Sequence, residues 1–308
     1  MANVLVIIVT YNALKWIQRC LRSVEKSTFP ADVVVIDNGS TDGTLPLIRT
    51  DFPGTRIIET GENLGFGAAN NLGLRIALDE GYGFAYLLNQ DAWLEKDTLE
   101  KLLAAHKPEW GILSPMQLNA GGRRDKRFDK KCGKYIDAAI RGYHNDQLVV
   151  EVPFVMAAHW LVSRKAIETV GGFSPAFRQY GEDDNWIHRL HWHKLYCGVV
   201  PAARAVHDRG GRRLSRDKRL QLKCISTVVK ASDPNRSWRR VRIREVLELV
   251  GMGLKNFSAV PWRFIPELIS RFPEIEALRE ASIQTGAFLI PAADSGAEIG
   301  FSANLSEK

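Results

Sequence analysis

Apolar residues in the first half of the chain fall into two kinds of run. Short stretches rich in Val and Ile, at Val4–Thr10, Val33–Ile36, Arg56–Thr60, Phe84–Leu88 and Ile112–Met116, read as buried strands. Between them the spacing turns helical: Leu14, Ile17, Leu21 and Val24 first, then Thr44–Phe52, Ala68–Asp79 and Asp97–His106. Asn38-Gly39-Ser40 closes the second strand as a turn cluster. Strands that alternate with helices predict an α/β fold whose central sheet is mostly parallel and covered on both faces. Sheets of this kind bind ligands beyond the carboxyl ends of their strands. Each candidate motif described below stands at such an end.

The second half is less regular. Residues 119–150 are polar, with Gly121-Gly122 and mixed charge, and read as a loop or hairpin over the site. Val152–Ser163 reads as further strand, Glu182–Leu195 as a helix and Cys197–Val200 as a strand. After Asp208 the pattern is helical and basic, and Pro234, Pro261, Pro266 and Pro273 predict a division into short helices. From about Ala292 the residues are small and polar and read as a frayed tail. The expected organisation is a domain over 1–210, a basic helical extension over 211–291 and a disordered tail over 292–308.

Composition narrows the function classes. Cys20, Cys132, Cys197 and Cys224 lie far apart with no Cys-x-x-Cys pair, against a disulfide framework or zinc knuckle and in favour of a reducing, cytoplasmic setting. The apolar run Val4–Val9 lacks a basic leader, and no stretch approaches the roughly 20 apolar residues of a membrane-spanning helix. The net charge of +7 is unevenly placed: Arg204 to Arg244 holds 14 Lys or Arg against three Asp, leaving the rest mildly acidic. That predicts an anionic partner, either a phosphorylated substrate or an anionic membrane surface at the inner face of the cell membrane. A basic nucleic-acid-binding protein is the rival reading. Trp238 is the one aromatic residue in the segment and no recognition motif accompanies it, so no nucleic-acid partner is expected.

Four constellations carry chemistry. Val9-Thr10-Tyr11-Asn12 and Asp37-Asn38-Gly39-Ser40-Thr41-Asp42-Gly43-Thr44 end the first two strands. A carboxylate there can accept from a base or ribose, while Ser40, Thr41 or Asp42 can equally cap a helix. Glu62-Asn63-Leu64-Gly65-Phe66-Gly67 lets the backbone approach a ligand closely before a helix begins, and lacks the third glycine of a dinucleotide fingerprint. Leu87-Leu88-Asn89-Gln90-Asp91 delivers one carboxylate to a strand end, which suits Mg²⁺ or Mn²⁺ shared with substrate phosphates; its alternative is an Asp that starts a turn. Gly171-Gly172-Phe173 precedes Glu182-Asp183-Asp184, three carboxylates at a helix start, where the dipole favours them structurally and one can serve as general base.

Taken in order, Thr-Tyr-Asn, Asp-Asn-x-Ser-x-Asp-Gly, Asn-Leu-Gly-Phe-Gly, Asn-Gln-Asp and Gly-Gly-Phe…Glu-Asp resemble the family 2 glycosyltransferases with the GT-A fold, and within them the rhamnosyltransferase-like branch, over roughly residues 3–210. The resemblance implies an inverting, metal-dependent transferase of surface-polysaccharide or glycolipid synthesis. Its donor would be a nucleotide-diphosphate sugar, dTDP-rhamnose in preference to a UDP-sugar, and its acceptor a glycan or lipid-linked hydroxyl. The implied donor-binding residues are Thr10, Tyr11, Asn12, Asp37, Asn63, Gly65, Asn89 and Gln90, with Thr10 and Asp37 at the nucleoside. Asp91 matches the last acid of the family's Asp-x-Asp metal motif, whose first position is Asn89 here. Asp183 matches the catalytic base, with Glu182 beside it, and Asp184 lies outside the match.

Related enzymes often place a histidine near the metal at the position of His207, whose alternative is a structural role. His188, His191 and His193 cannot share one helix face and, with Trp186 and Trp192 between them, read as amphipathic surface. A protein that binds sugar nucleotides without catalysis is the remaining rival; the presence of both Asp91 and Asp183 argues against it.

Overall fold

The computed structural model describes residues 3–141, 148–177, 180–209 and 215–289. The expected tail over 292–308 lies outside them. The described residues form β1 (Val4–Thr10), α1 (Ile17–Glu25), β2 (Asp32–Asp37), α2 (Thr44–Asp51), β3 (Arg56–Glu59), α3 (Phe66–Asp79), β4 (Phe84–Asn89), β5 (Ala92–Leu94), α4 (Thr98–Ala105) and β6 (Trp110–Leu118). There follow α5 (Lys126–Phe128), a π-helical turn Asp129–Gly133, α6 (Lys134–Ile140), β7 (Val150–Glu151), β8 (His159–Ser163), α7 (Arg164–Val170), α8 (Glu182–Trp192) and β9 (Tyr196–His207). The chain closes on α9 (Arg216–Ala231), α10 (Trp238–Asn256), α11 (Ala259–Ser270) and α12 (Phe272–Ser282).

One sheet runs in the order β3-β2-β1-β4-β8-β6-β9-β5, with β7 also on β9. Parallel pairing joins β3 to β2, β2 to β1, β1 to β4 and β6 to β9, and the antiparallel β8 bridges β4 to β6. Thus β1, β2, β3, β4, β6 and β9 all point the same way, the mostly parallel sheet that the alternation predicted. Strand β1 shows why both faces are covered. Val4, Val6 and Ile8 pack on one side against Ile17, Leu21 and Leu99, and Leu5 and Ile7 on the other against Leu74, Ala77 and Ile167. Successive side chains of a strand alternate faces, so an unbroken apolar run needs a layer on each.

Four regions depart from the sequence reading. Residues 119–150 were expected as loop or hairpin, yet 126–140 are helical: Phe128, Cys132 and Ile136 recur every four residues and are wholly buried, and Asp125 caps the first turn by accepting from the Arg127 and Phe128 N–H groups at 2.9 Å. The abundant charge there coats the outer face. Of Val152–Ser163 only His159–Ser163 is strand. The short β5 was not anticipated; it is held by antiparallel pairing with β9, a partner more than 100 residues away. Pro266 lies inside α11, and Pro261 and Pro273 sit in first turns, where a missing N–H has no partner to lose. Pro234 alone separates two long helices, α9 and α10.

The last four helices build their own apolar cluster from Cys224, Val228, Val229, Leu249, Leu268, Ile275 and Leu278. Ala176 and Phe177, just before α8, are part of it, so these helices seal onto the segment that carries the acidic motif. No described helix is long and apolar enough to cross a membrane.

Close packing of α3 on β1 rests on Gly73, where an added Cβ would lie 2.4 Å from Ile7 Cγ2. Alanine in a helix interior gains about 1 kcal/mol over glycine, whereas overpacking a core costs about 1–3 kcal/mol. Gly73→Ala is therefore expected to lower the urea midpoint. Gly54→Ala, with open space around it, should leave the midpoint within error.

Candidate active site

The carboxyl ends of β1, β2, β4 and β9 meet at one edge of the sheet, and the loops that leave them are bound to one another. Thr10 donates its hydroxyl to Asp37 Oδ1 at 2.8 Å, and Ser40 reaches the same carboxylate through its hydroxyl at 2.6 Å and its N–H at 2.8 Å. Thr10 and Asp37 are almost wholly buried, so this side chain is held fixed by its hydrogen bonds at the floor of the site. Gln90 clamps the backbone of Tyr11, accepting from its N–H at 2.7 Å and donating to its carbonyl at 3.3 Å. Asn12, left-handed at φ 50°, accepts from the Thr41 N–H at 2.9 Å, and its own N–H donates to Ser40 Oγ. Asp42 accepts from the Leu14 N–H and from Thr44, and so ties the same loops from behind.

Asn38 extends this lattice to the glycine segment by donating to the Gly65 carbonyl at 3.3 Å. Asn63 accepts from the Gly65 N–H at 2.9 Å, an Asx-type turn that opens α3. Gly65 stands at φ 86°, a conformation that favours glycine, and as the residue before α3 it supplies no side-chain cap to that helix.

Asp91 follows β4, and the pairing of β5 with β9 places Ala92 opposite His207. His207 Nε2 consequently lies 3.2 Å from Asp91 Oδ1, and the Asp208 N–H donates to the Asp91 carbonyl at 2.8 Å. His207 Nδ1 and Asn89 Oδ1 are buried with no partner among the described residues. No cluster of three or more His, Cys, Asp or Glu that could hold a metal occurs among the described residues. The pair still fits a hard divalent ion: a 3.2 Å separation suits two adjacent positions at bond lengths of about 2.1 Å, and such ions commonly take one or two protein ligands, with phosphates and water supplying the rest.

Behind this pair lies His159, which sequence reasoning passed over because it sits in an otherwise apolar strand. Its Nε2 is 3.1 Å from the Val206 carbonyl, which can only accept, so Nε2 carries the hydrogen and Nδ1 accepts from the Tyr86 hydroxyl at 3.0 Å. Burial, with His207 nearby, pushes its pKa down to about 3, so it is a neutral prop at physiological pH.

The acidic motif opens α8 after Tyr180 (φ 68°) and Gly181 (φ 96°) turn the chain into it. Burial raises all three carboxyls: Glu182 to about 7, Asp183 well above its ordinary value through burial and then through Asp184 and Glu182, and Asp184 more modestly against the pull of Lys131, His188 and Lys230. The Asp184 N–H donates to Asp183 Oδ1 at 2.9 Å, and Glu182 Oε2 is buried without a partner among the described residues.

A second network, absent from the sequence reading, fixes this helix to the glycine segment. Asn71, on α3, accepts from the Phe173 N–H at 2.6 Å and donates to its carbonyl at 2.9 Å. Phe66 meets Phe173 edge to face at 5.7 Å, and a Cβ on Gly67 would lie 2.9 Å from that of Phe173. Arg189, on α8 and wholly buried, donates to the carbonyls of Val170, at 2.7 Å, and Gly172, and to Asn185 Oδ1 at 3.2 Å. Trp186, which the histidine-rich pattern assigned to a surface, is buried against Trp160 and Phe173, and only Trp192 is exposed. Core packing decides that face, because α8 lies between the sheet and the C-terminal helices. Of the three histidines, His188 faces Asp233, in the connection between α9 and α10, at 3.9 Å. Gly171, at φ 84°, admits the Ala287 carbonyl 1.9 Å from where its Cβ would stand.

The sequence profile of glycosyl transferase family 2 matches residues 5–171, more than half of the chain. The chain belongs to that family and is a nucleotide-sugar glycosyltransferase. It is 28% identical to an N-acetylglucosaminyl-diphospho-decaprenol L-rhamnosyltransferase of Mycobacterium tuberculosis, over 79% of this chain and 88% of the relative. It is 24% identical to the dTDP-rhamnosyl transferase RfbF of Shigella flexneri, over 78% of each. Its fold is shared with Staphylococcus aureus TarS (residues 1–349) solved with UDP, at a TM-score of 0.55 and 16% identity over 96% of this chain and 92% of that one. It is also shared with the mannosyltransferase PcManGT of Pyrobaculum calidifontis, solved with GDP-Man and Mn²⁺, at 0.52 and 19% identity over 91% and 73%. These likenesses establish the GT-A architecture.

The raised carboxyls carry a stability consequence. A carboxyl whose folded pKa exceeds its unfolded value binds more protons when folded, so stability falls as pH rises through that interval. For Glu182 the interval runs from about 4.5 to about 7, and its two neighbours shift the same way. Below it both states are protonated and no penalty applies. In metal-free protein, Glu182→Gln is expected to raise the melting temperature at pH 8 and change it little at pH 4.5.

Proposed function

We propose that this glycosyltransferase inverts configuration at the anomeric carbon and works with Mg²⁺ or Mn²⁺. Its donor would be a nucleotide-diphosphate sugar, dTDP-rhamnose in preference to a UDP-sugar, and its acceptor a hydroxyl on a glycan or lipid-linked glycan of the cell surface. The reading rests on one observation above all. Asp91 and His207 stand 3.2 Å apart at the carboxyl edge of the sheet, and the glycine segment that shares this edge is bound through Asn71 and Phe66 to the turn leading into Asp183. The rhamnosyl donor and lipid-linked acceptor are supported by what the two rhamnosyltransferase relatives are named for, and divalent metal use by the Mn²⁺ in the PcManGT structure.

In this mechanism Asp37, Thr10 and the loop residues Tyr11, Asn12 and Gln90 shape the nucleoside end, and Asn63, Gly65 and Asn89 line the diphospho-sugar. Asp91 and His207 would hold the divalent cation, which when bound neutralises charge building on the departing diphosphate. Asp183 accepts the acceptor's proton while the acceptor oxygen bonds to the anomeric carbon and the bond to the diphosphate breaks. One base acting opposite the leaving group gives inversion, with no second carboxylate as nucleophile. Burial, and then the neighbouring Asp184 and Glu182, hold the Asp183 carboxyl well above its ordinary range, the direction that makes a carboxylate a stronger base. The helices beyond residue 211 act as an extension that braces α8.

Loss of a general base costs about 10²–10⁴-fold. Asp183→Asn is therefore expected to lower turnover by at least that order while nucleotide-sugar affinity, read by calorimetry, changes little; Asp184→Asn should be far milder. The reverse ranking would reassign the base. Because Asp183 must lose a tightly held proton before acting, kcat/KM should rise with pH and its acidic limb should lie above the ordinary aspartate value of about 3.9.

Asp91→Asn tests the metal arm. Nucleotide-diphosphate binding that wild type strengthens with Mn²⁺ should no longer respond to Mn²⁺ in the variant. An unchanged response would remove Asp91 from the metal site.

A further inference from the structure

Helix α10 presents two unlike faces. Val241, Glu245, Leu249 and Gly253 point inward, and Leu249 belongs to the C-terminal apolar cluster. On the outer face Ile243 is 65% exposed, and Leu247 and Leu254 are each 63% exposed. At 100° per residue these three, with the partly buried Val250, fall within an arc of about 60° and form one continuous ridge. Phe257 prolongs it just past the helix end: left-handed at φ 47° and 97% exposed, it contributes almost nothing to packing of the chain. Four apolar side chains aligned along some four turns of helix differ from the isolated exposed apolar residues that any surface carries.

The charge around the ridge has one sign. Arg239 flanks it on one side, and Arg240, Arg244 and Lys255 on the other, all exposed. Of the acids of the helix, Glu245 is buried on the opposite side, and Glu248 lies beyond Arg244, away from the ridge, where Lys230 meets it at 2.6 Å. An apolar ridge between rows of cations is the pattern of a helix that lies in the plane of a membrane interface, its apolar side chains in the acyl boundary and its cations among anionic headgroups.

We propose that the outer face of α10 docks this protein on an anionic lipid bilayer. Ile243, Leu247, Leu254 and Phe257 insert below the headgroups, and Arg239, Arg240 and Arg244 hold lipid phosphates. The inference stands apart from the donor, metal and base assigned above, because no residue of α10 belongs to that machinery. A second copy of this chain on the same ridge is the competing occupant. The complete absence of acids from the exposed arc argues against it, since a self-complementary face would bring these cations against each other.

The test uses the full chain and flotation with phosphatidylcholine vesicles, with and without a third of phosphatidylglycerol, at low and high salt. The expected result is binding to the anionic vesicles that weakens with salt. Each arginine near such a surface accounts for about five-fold in affinity, so Arg239→Gln, Arg240→Gln and Arg244→Gln together should cost on the order of 100-fold. Leu247→Ser with Leu254→Ser should abolish flotation without changing the melting temperature, because both side chains are solvent-exposed. Donor turnover with a soluble acceptor should be unaffected in both variants, which keeps failure here distinct from failure of the proposed chemistry. Wild-type affinity in the triple variant, or equal binding to neutral and anionic vesicles, overturns the proposal. So does a dimer that the serine pair dissociates while flotation persists.

Discussion

A guanidinium buried among backbone carbonyls is the contact on which the catalytic half of this molecule depends. Arg189 has no carboxylate beside it among the described residues; its charge is met by the Val170 and Gly172 carbonyls and the Asn185 amide oxygen, and burial pulls its pKa down to about 9. A charged donor bonded to neutral acceptors makes strong hydrogen bonds, and removing it would leave those carbonyls unpaired in the interior. The bonds fix the Gly171-Gly172 turn to α8 and therefore fix where α8 starts. Asn71 approaches the same turn from α3, through both the N–H and the carbonyl of Phe173. The helix that opens beside the glycine segment and the helix that opens on Glu182 and Asp183 are held through one three-residue turn.

Rigidity of this kind bears on the proposed chemistry, in which a base at Asp183 would have to be desolvated and placed at once. Three consecutive carboxylates at a helix start would ordinarily sit in water, kept ionised by the helix dipole. Here the C-terminal helices close over that start: Val229 packs where a Cβ on Gly181 would stand, Ser232 meets Asn185, and Asn235 donates to the His188 carbonyl at 2.7 Å. The resulting burial raises the carboxyls. The extension is thus coupled to the site by packing as well as by its charge, and it places the ridge of α10 on the side away from its own core.

At the opposite end of the site, order comes from the sheet. Parallel strands bring Thr10, Asp37 and Asn89 to one edge in register, and the antiparallel return of β5 along β9 sets Asp91 beside His207. The loops then need only short side-chain bonds among Thr10, Asp37, Ser40, Asn12 and Gln90 to become a rigid floor. Such preorganisation is what the proposed displacement would require, because a rigid floor positions a diphosphate without reorganisation at the moment of reaction.

The sequence by itself determined the alternation of strand and helix, the arrival of the Thr10, Asp37 and Asp91 motifs at strand ends and the family, because local periodicity and short motifs involve neighbours along the chain; the acidic motif, expected at a strand end as well, instead follows α7 and opens α8. It also marked the glycine segment: Gly65 does adopt a conformation that side chains avoid. Contacts between residues far apart in sequence were decided only in three dimensions. Asn71 and Phe173, His159 and Val206, and Arg189 and Gly172 carry no local signal, since an asparagine, a histidine or an arginine in a helix or strand looks the same whether it faces water or a carbonyl. The same limit hid the helix over 126–140, whose buried Phe128, Cys132 and Ile136 are outnumbered by surface charge, and led Trp186 to be read as surface. Burial depends on what packs above a residue, and that is set by tertiary structure.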